Sequence, residues 1–584
     1  MEYLGSLLSK LSIFDPRDRN FLFVGYRNPF SVFKPRSKEH DEHESTVLDS
    51  LKRHLYPWDY DEVLSYTITT PTNDDVEKDF FSGDIPNHQV LRDSHYLNAL
   101  DIIITKFQPP QQVRPVHFAD LRLYPWKWHP SAEAPFADHA KYLRMLEQQY
   151  QAGQIPDRRP SFGNLKDLIF GVVRQQLHKI KHGLVDPDAY LYYFRTHAKP
   201  ALVKRDDIDP DTGKTKNKVR MIFGAPKTFI LAEAMFFWPL FNYYQTHIGA
   251  SPLLWGYETL NGGWLRLNEE LNCSLIKGSI LMVDWKRFDK YALFSVITDI
   301  MQGVRSYFNF NAGYIPTTTA PSHPNLHPLH PQWLENLWDW TCYARFNIPT
   351  LLPSGRVYQR LHAGIPSGMF TTNFLDSMYN GTQILTCLSS LGISVDLDVF
   401  IKLMGDDSLT RILVIIPTSQ HLDFIQAMQD KASLYFNAQI SIEKSKMSNR
   451  PYGSEVLSYV NNNGFPVRNY NELLARLLYT KSKRPRPEVT MAISIGIYYA
   501  SAGNCSYLRE VCLDVYTRYF LQGYRADKSA LSSYFDPNFF DSVDIDFDNF
   551  PSRQDVQKRL TTFSERSEKR SRDYWPSWYF LDTF

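Results

Sequence analysis

The amino-acid sequence predicts a protein of the α+β class with several subdomains. Its 584 residues exceed what one hydrophobic core usually holds. Short apolar runs bounded by Gly and Asp, at 280–283 and 399–404, predict strands, and a Gly-Asp-Asp turn after the second run predicts a hairpin. Apolar residues at helical spacing over 162–198 and 471–522 predict helices.

The composition argues against several classes of protein. Hydrophobic residues make up 43% of the chain and charged residues 22%, as in soluble globular proteins. No run of eighteen apolar residues occurs and residues 1–16 do not resemble a signal peptide, so we expect no membrane span. Five cysteines without zinc-ligand spacing favour a reduced, intracellular setting. The net charge of +1 means that any nucleic-acid channel would depend on local clusters of basic residues.

The N-terminal part of the chain carries few signals. Residues 1–160 are rich in charge, proline and aromatic side chains and predict an irregular region. Residues 199–226 are first strongly basic and then apolar. The basic side chains there include Lys204, Arg205, Lys218 and Arg220. Taken alone, this run fits a solvated loop as well as a phosphate-binding element.

Aspartates follow two of the predicted strands. Asp284 ends the apolar run 280–283, and Asp289 comes five residues later; an N-cap is the simple alternative for such a residue. The hairpin turn carries Asp406 and Asp407. Two like charges between buried strands are costly unless a cation neutralises them. Magnesium prefers carboxylates and substrate phosphates, so it is a natural partner of this turn.

A loop and a helix lie between these aspartates. Residues 364–368 read Gly-Ile-Pro-Ser-Gly and predict a loop, and a helix is predicted over 369–388. Thr372 and Asp376 are four residues apart and therefore share one face of that helix. Each alone would fit a solvated helix face.

The order of these motifs resembles the palm of viral RNA-dependent RNA polymerases. Motif A matches as Asp284-Trp285-Lys286-Arg287-Phe288-Asp289, motif B as Ser367-Gly368 with Thr372 and Asp376, and motif C as Gly405-Asp406-Asp407. Outside the palm motifs, Lys218-Val219-Arg220-Met221-Ile222 resembles motif F, Ile442-Glu443-Lys444-Ser445 motif D, and the stretch from Leu457 to Arg468 motif E. The resemblance covers roughly residues 200–470.

Within that superfamily the sequence is most similar to partitiviruses, which are double-stranded RNA viruses of fungi and plants. The similarity lies in Trp255-Gly256-Tyr257-Glu258 with Gly262-Gly263-Trp264, in Asp284-Trp285 followed by Phe288-Asp289, and in Asp376-Ser377. Picornavirus-like enzymes carry Asn where this chain has Asp376, so its sugar-sensing role is less firmly implied than that of Thr372.

The resemblance implies a right-hand polymerase fold with fingers, an antiparallel palm sheet flanked by helices, and a helical thumb. The bounds it implies are an N-terminal region contributing to the fingers at 1–160, fingers with motif F at 161–227, palm with motif A at 228–310, a fingers insertion at 311–362, palm with motifs B to E at 363–470, and thumb and tail at 471–584.

The resemblance also implies two-metal-ion nucleotidyl transfer. Asp284, Asp406 and Asp407, with the backbone carbonyl of Trp285, would bind two Mg²⁺ ions, for which Mn²⁺ is a possible substitute. Lys444 would protonate the departing pyrophosphate. The remaining assignments are Lys204, Arg205, Lys218 and Arg220 to the triphosphate, Asp289, Thr372 and Asp376 to the ribose 2′-hydroxyl, Ser367 and Gly368 to the template or the nascent base pair, and Arg468 to the primer strand.

The partners implied are template and product RNA, nucleoside triphosphates and the viral coat protein, with the enzyme inside the virus particle in the host cytoplasm. Nothing in the sequence indicates an oligomeric state. A reverse transcriptase would share the palm, but it usually has an aromatic residue at the position of Met404 and a bulky one at Asp289. A non-catalytic, capsid-associated RNA-binding protein would have no reason to keep the aspartates. A metal-dependent phosphatase or nuclease would leave motifs B and F unexplained.

Overall fold

The computed structural model describes residues 19–33, 36–207, 219–272, 277–322, 327–527, 545–562 and 580–581. The strands are β1 (Phe21–Tyr26), β2 (Tyr66–Ile68), β3 (Phe194–Lys199), β4 (Leu202–Lys204), β5 (Arg220–Gly224), β6 (Ser279–Met282), β7 (Trp285–Lys286), β8 (Thr350–Leu351), β9 (Arg356–Arg360), β10 (Val399–Met404), β11 (Asp407–Ile412), β12 (Gln439–Ile440), β13 (Lys446–Ser448), β14 (Glu455–Val456), β15 (Tyr459–Asn462) and β16 (Phe465–Val467).

The α-helices of the same residues are α1 (Lys38–His54), α2 (Pro57–Leu64), α3 (Asn73–Phe81), α4 (Ser94–Phe107), α5 (Ala140–Gln151), α6 (Lys166–Lys181), α7 (Lys227–Thr246), α8 (Gly263–Asn272), α9 (Phe288–Tyr291), α10 (Phe294–Arg305), α11 (His330–Asn347), α12 (Thr372–Ser390), α13 (His421–Phe436), α14 (Tyr470–Leu478), α15 (Pro487–Ala500), α16 (Ser506–Leu521) and α17 (Arg553–Thr561). Helices and strands are interspersed, and the α+β class is confirmed.

A four-stranded antiparallel sheet carries the predicted hairpin, with the strand order β10-β11-β6-β13. Met404 pairs with Asp407, so that only Gly405 and Asp406 form the turn. Strand β6 pairs with β11 on one side and with β13 on the other. The hairpin and the strand before Asp284 are therefore present as predicted.

Both faces of this sheet are covered. Because side chains alternate along a strand, Leu281 and Leu403 enter the largest core, which includes helices α4 and α12, whereas Ile280 and Met282 enter a smaller core with helix α8. All four side chains are buried. Because both faces are covered, a ligand can reach polar groups of this sheet at the ends of its strands.

A second sheet has the order β1-β9-β8-β3-β5, and its edge strand β5 begins at Arg220. The helix predicted over 162–198 ends at Lys181. Residues Phe194 to Lys199 instead form β3, which pairs with β5 and β8 and buries Phe194 and Thr196 completely. The prediction was wrong there because this pairing is with distant segments of the chain.

A second large core joins the two ends of the chain. Helices α14, α15 and α16 pack with one another and with α1, whose Val47 and Leu51 are fully buried. The prediction of an irregular region at 1–160 was wrong, since helices α1 to α5 lie there. The stretch that forms α1 is so polar that its narrow buried stripe escapes notice. The predicted subdomain bounds stay a prediction.

The C-terminal residues Phe580 and Leu581 lie against the first core. Phe580 forms a bridge with Thr317 and packs against the Trp238 ring, with 5.0 Å between the ring centroids. The amide of Leu581 donates to the carbonyl of Pro316. Among the described residues, no helix combines the length and the apolar character that crossing a membrane requires.

Candidate active site

Asp284, Asp406 and Asp407 come together at one end of the four-stranded sheet. The pairing of β6 with β11 runs from Ser279–Ile412 to Leu281–Thr410, so the two strands lie side by side up to three residues from Asp284 and from Asp407. Asp406 precedes Asp407 in the turn, and the charge of Asp284 acts on both. The three carboxylates therefore form one cluster.

The charge of this cluster is costly without a counter-ion. Solvent reaches each carboxylate, but the surrounding protein restricts its hydration. Burial raises the pKa of Asp406, and burial together with the charges of Asp406 and Asp284 raises the pKa of Asp407 to about 6. Oxygen donors at raised pKa fit a hard divalent cation.

Among the described residues, no three or more His, Cys, Asp or Glu side chains are arranged so that they alone could hold a metal ion. Mg²⁺ commonly takes only one or two carboxylates and completes its shell with water and substrate phosphates. Asp284, Asp406 and Asp407 would therefore supply only part of the shell of a Mg²⁺ ion, and water and substrate phosphates would supply the rest.

The segment around Lys444 is hydrogen-bonded to the backbone of Asp284, just after the end of strand β6. The amide of Asp284 donates to Ser445 Oγ at 2.9 Å, and the amide of Ser441 donates to the carbonyl of Asp284 at 2.7 Å. Lys446 is paired with Glu455 at 2.6 Å. Lys444 is exposed and forms no ion pair within the described part of the chain. Of the two neighbouring lysines, Lys444 is thus the one with a free ammonium group.

Asp289 and Asp376 form a second acidic pair beside the cluster. Burial raises the pKa of Asp289 to about 6, against the lowering charge of Lys290. Burial, then the charges of Asp289 and Asp406, raise the pKa of Asp376 well above its usual range. The Oδ1 atom of Asp376 is buried without a hydrogen-bond partner. The two predicted ribose-sensing carboxylates therefore lie next to each other and next to the cluster of Asp284, Asp406 and Asp407.

The loop before helix α12 approaches strand β5 closely. Ser367 is exposed, and a Cβ atom on Gly368 would lie 1.8 Å from the carbonyl oxygen of Phe223. Only glycine fits this contact. The hydroxyl of Thr372 donates to the carbonyl of Pro366 at 2.9 Å, and this bond joins the start of helix α12 to the loop before it.

A buried ion pair supports the end of the same loop. Arg345 and Glu233 are both almost fully buried and their charged atoms lie 2.8 Å apart. Glu233 also accepts hydrogen bonds from the amide of Phe370 at 2.8 Å and from the hydroxyl of Thr371 at 2.6 Å. The predicted set did not contain Glu233, because nothing local in the sequence connects it with residues 137 positions away.

The predicted basic residues are spread over different places. The charge of Arg220, which is exposed, acts on Asp406 and Asp407. Lys204 instead pairs with Glu62 at 2.8 Å. Lys218 lies outside the described residues.

Arg205 and Arg468 contact other parts of the chain. Arg205 donates to the carbonyl of Leu64 at 3.0 Å and to the hydroxyl of Tyr479 at 3.3 Å, so it connects two segments of the second core. The guanidinium of Arg468 lies 5.2 Å from the centre of the Tyr459 ring, and its Nε is buried without a partner.

Two helix residues at the aspartate turn were missed by sequence reasoning. Asn380 donates to the carbonyls of Gly405 and Asp406, and Ser377 accepts from the amide of Gly405. The signal available in the sequence was the recurrence of polar residues at positions 373, 376, 377 and 380, which share one face of the helix.

Comparison with known proteins gives three findings. The family described as viral RNA-dependent RNA polymerase matches residues 213–519. The RNA-directed RNA polymerase of White clover cryptic virus 1 is 35% identical, over 100% of this chain and 99% of its own length. That of Atkinsonella hypoxylon virus is 26% identical, over 77% and 72%.

One solved structure has a similar fold. The RNA-dependent RNA polymerase 3Dpol of a sicinivirus covers 86% of this chain and 95% of its own, with a TM-score of 0.58 and 14% sequence identity. At that identity the likeness concerns the fold alone.

Proposed function

The chain belongs to the family of viral RNA-dependent RNA polymerases, and we propose that it joins nucleotides with two divalent cations bound by Asp284, Asp406 and Asp407. The relatives are polymerases of double-stranded RNA viruses, so RNA template and nucleoside triphosphates are its substrates. The observation that carries the proposed metal site is the convergence of three carboxylates: burial and the charge of Asp284 raise the pKa of Asp406, and burial with the charges of Asp406 and Asp284 raises the pKa of Asp407.

The reaction forms a bond between the 3′-oxygen of the nascent strand and the α-phosphorus of the nucleotide, while the bond to pyrophosphate breaks. Two divalent cations supply activation of the attacking oxygen and stabilisation of the leaving one when they are bound. Asp284 and Asp406 would be the principal ligands of these cations, with Asp407 and the Trp285 carbonyl in support. Lys444, which is exposed and has no ion pair with any described residue, would donate a proton to pyrophosphate.

Selection for ribonucleotides falls to the acidic pair beside the metal cluster. Asp289 and Asp376 can hydrogen-bond a ribose hydroxyl, and a site built for a hydroxyl strongly rejects the analogue that lacks it. Thr372 donates its hydroxyl proton to the carbonyl of Pro366 and can still accept a hydrogen bond from a ribose hydroxyl. Arg220 is close enough for its positive charge to act on Asp407, so it is suited to bind the triphosphate of the nucleotide.

The test is incorporation of labelled nucleotides on an RNA template with Mg²⁺ or Mn²⁺. We expect ribonucleotide incorporation by the wild type and its loss in Asp406→Ala. Asp423→Ala, a change at an exposed aspartate of helix α13, serves as the control and should remain active. Preference for deoxynucleotides would instead favour a reverse transcriptase, and a folded wild type that binds RNA without copying it would favour the non-catalytic alternative.

We further propose that the enzyme works inside the virus particle in contact with the coat protein, in the host cytoplasm. This proposal is supported by the similarity to polymerases of double-stranded RNA viruses. Purified particles should then contain the chain and incorporate nucleotides. Polymerase activity that sediments apart from the coat protein would contradict it.

A further inference from the structure

Helix α12 presents a row of polar side chains to the turn that carries the catalytic aspartates. Asn373, Ser377 and Asn380 recur at intervals of three and four residues and therefore share a face. Half of the other residues of this helix have buried apolar side chains. Polar groups in such surroundings persist when hydrogen bonds satisfy them.

Asn380 makes the most connections of this row. Its Nδ2 donates to the carbonyls of Gly405 and Asp406, each at 2.9 Å, and its Oδ1 accepts from Trp285 Nε1 at 2.8 Å. The side chain is fully buried. Its two donors both meet carbonyl oxygens and its acceptor meets an N–H, so these partners fix the orientation of the amide.

These hydrogen bonds satisfy backbone groups of the turn that the pairing of β10 with β11 does not reach. The ladder of β10 and β11 ends at the pair Met404–Asp407, so the carbonyls of Gly405 and Asp406 lie beyond it. The amide of Gly405 donates to Ser377 Oγ at 2.8 Å. Three of the four polar backbone groups of the turn are thus bound from helix α12, while repulsion among the aspartates acts to spread the turn.

We propose that Asn380 is a positioning residue that fixes the Gly405-Asp406 turn against Trp285, and so sets the spacing of Asp284 and Asp406 for divalent cations. This inference rests on the proposed function and deepens it. Asn380 touches neither substrate nor metal and acts through the backbone. Partners of this kind, one step removed from metal ligands, usually change metal affinity or activity 10–100-fold when removed.

The test compares the wild type with Asn380→Asp and Asn380→Ala. Asp keeps the volume of Asn but offers no donor when ionised and at most one when protonated, so it removes at least one of the two bonds to the turn without leaving a cavity. Binding of Mn²⁺ to the protein without RNA or nucleotide, followed by electron paramagnetic resonance, should weaken roughly 10-fold or more in both variants. The half-maximal Mn²⁺ concentration for nucleotide incorporation should rise by a similar factor, with little change in RNA affinity.

Thr382→Val provides the matched control on the same helix. Thr382 is equally buried, but its hydroxyl bonds only to Met378 within the helix. This variant should bind Mn²⁺ like the wild type. If Asn380→Ala fails to fold, Asn380→Asp decides, because it leaves no cavity.

Folded Asn380 variants that bind Mn²⁺ within about twofold of the wild type would overturn the positioning role, whatever the polymerase activity. A wild type that incorporates no nucleotide would sink the proposed function. If it still bound Mn²⁺ more tightly than Asn380→Asp, the positioning role would stand. Mn²⁺ binding therefore tests the positioning role, and nucleotide incorporation tests the proposed function separately.

Discussion

The carboxylate of Asp407 is a source of instability that the metal would relieve. Its folded pKa of about 6 lies above the unfolded value of about 3.9. Folding therefore favours the protonated form, and the stability that this confers is present below about pH 4 and is lost as the pH rises through 6. Above pH 6 the charged carboxylate opposes folding.

We therefore expect Asp407→Asn to stabilise the metal-free protein at pH 8, by at most about 1 kcal/mol because solvent screens so exposed a group. The measurement is the thermal midpoint in the presence of a chelator at pH 8 and at pH 4. The gain should shrink at the lower pH. An equal gain at both values, or the same gain in Asp423→Asn, would contradict this account.

Gly368 offers a second prediction at this scale. Ala there would place Cβ 1.8 Å from the backbone oxygen of Phe223, so either the loop or strand β5 must move. We expect Gly368→Ala to reduce nucleotide incorporation at least about tenfold, since a shift of 1 Å at a reacting site can cost that much and more. Gly496→Ala, where no atom lies within 4 Å of the added Cβ, should retain full activity.

The convergence of the three aspartates could be predicted from the sequence because each aspartate ends a local hydrophobic pattern. Asp284 follows an apolar run, and Asp406 and Asp407 interrupt two runs that pair as a hairpin. Asn380 was missed, because the polar spacing marks a face of the helix but does not identify the turn 25 residues away to which Asn380 bonds. The same holds for Glu233, a glutamate in an otherwise apolar helix.

At the level of elements, helix α1 is fixed to the second core by a buried histidine. His43 Nε2 lies 2.7 Å from the carbonyl of Leu477, to which it donates, and Nδ1 lies 2.8 Å from the hydroxyl of Thr490. Burial lowers the pKa of His43 to about 4, against the raising effect of the Leu477 carbonyl. The ring is therefore neutral in the fold, while the unfolded chain takes up a proton below about pH 6.5.

The stability of this contact is present in full above pH 6.5 and is lost as the pH falls from 6.5 to 4, up to about 3 kcal/mol. We expect the thermal midpoint of the wild type to fall more steeply over this window than that of His43→Gln. His139→Gln, at an exposed position, should keep the wild-type slope. Parallel slopes for all three proteins would show that His43 does not couple the contact to pH.

The elements that the sequence predicted best are those whose pattern and pairing are both local. The hairpin of β10 and β11 needs only the two runs that flank its turn. Strand β3 was mistaken for helix because its partners, β5 and β8, lie elsewhere in the chain. Helix α1 was missed because its apolar stripe becomes visible only when the helices that cover it are known.

On the scale of the whole molecule, the N-terminal helix and the C-terminal helices depend on one another. Leu51 is fully buried in the core that α15 and α16 also line. Leu51→Ala should therefore destabilise this core by roughly 2–5 kcal/mol. We expect faster hydrogen exchange in α16 and unchanged exchange in strands β10 and β11.

Leu184→Ala is the control for that prediction, since Leu184 is 71% exposed and its loss should change stability by less than about 0.5 kcal/mol. Equal acceleration in α16 and in the hairpin would mean that the two cores unfold as one unit. Acceleration restricted to α1 would mean that α16 is stable without it.

The packing of α1 against α16 also has a consequence for biosynthesis. The hydroxyl of Ser50 bonds to the carbonyl of Val511, a residue 461 positions later. At a translation rate of 5–20 residues per second, α1 leaves the ribosome roughly 20 to 90 s before its partner exists. During that time its apolar stripe is open to chaperones, and the second core cannot close until the chain has been translated to its last helices.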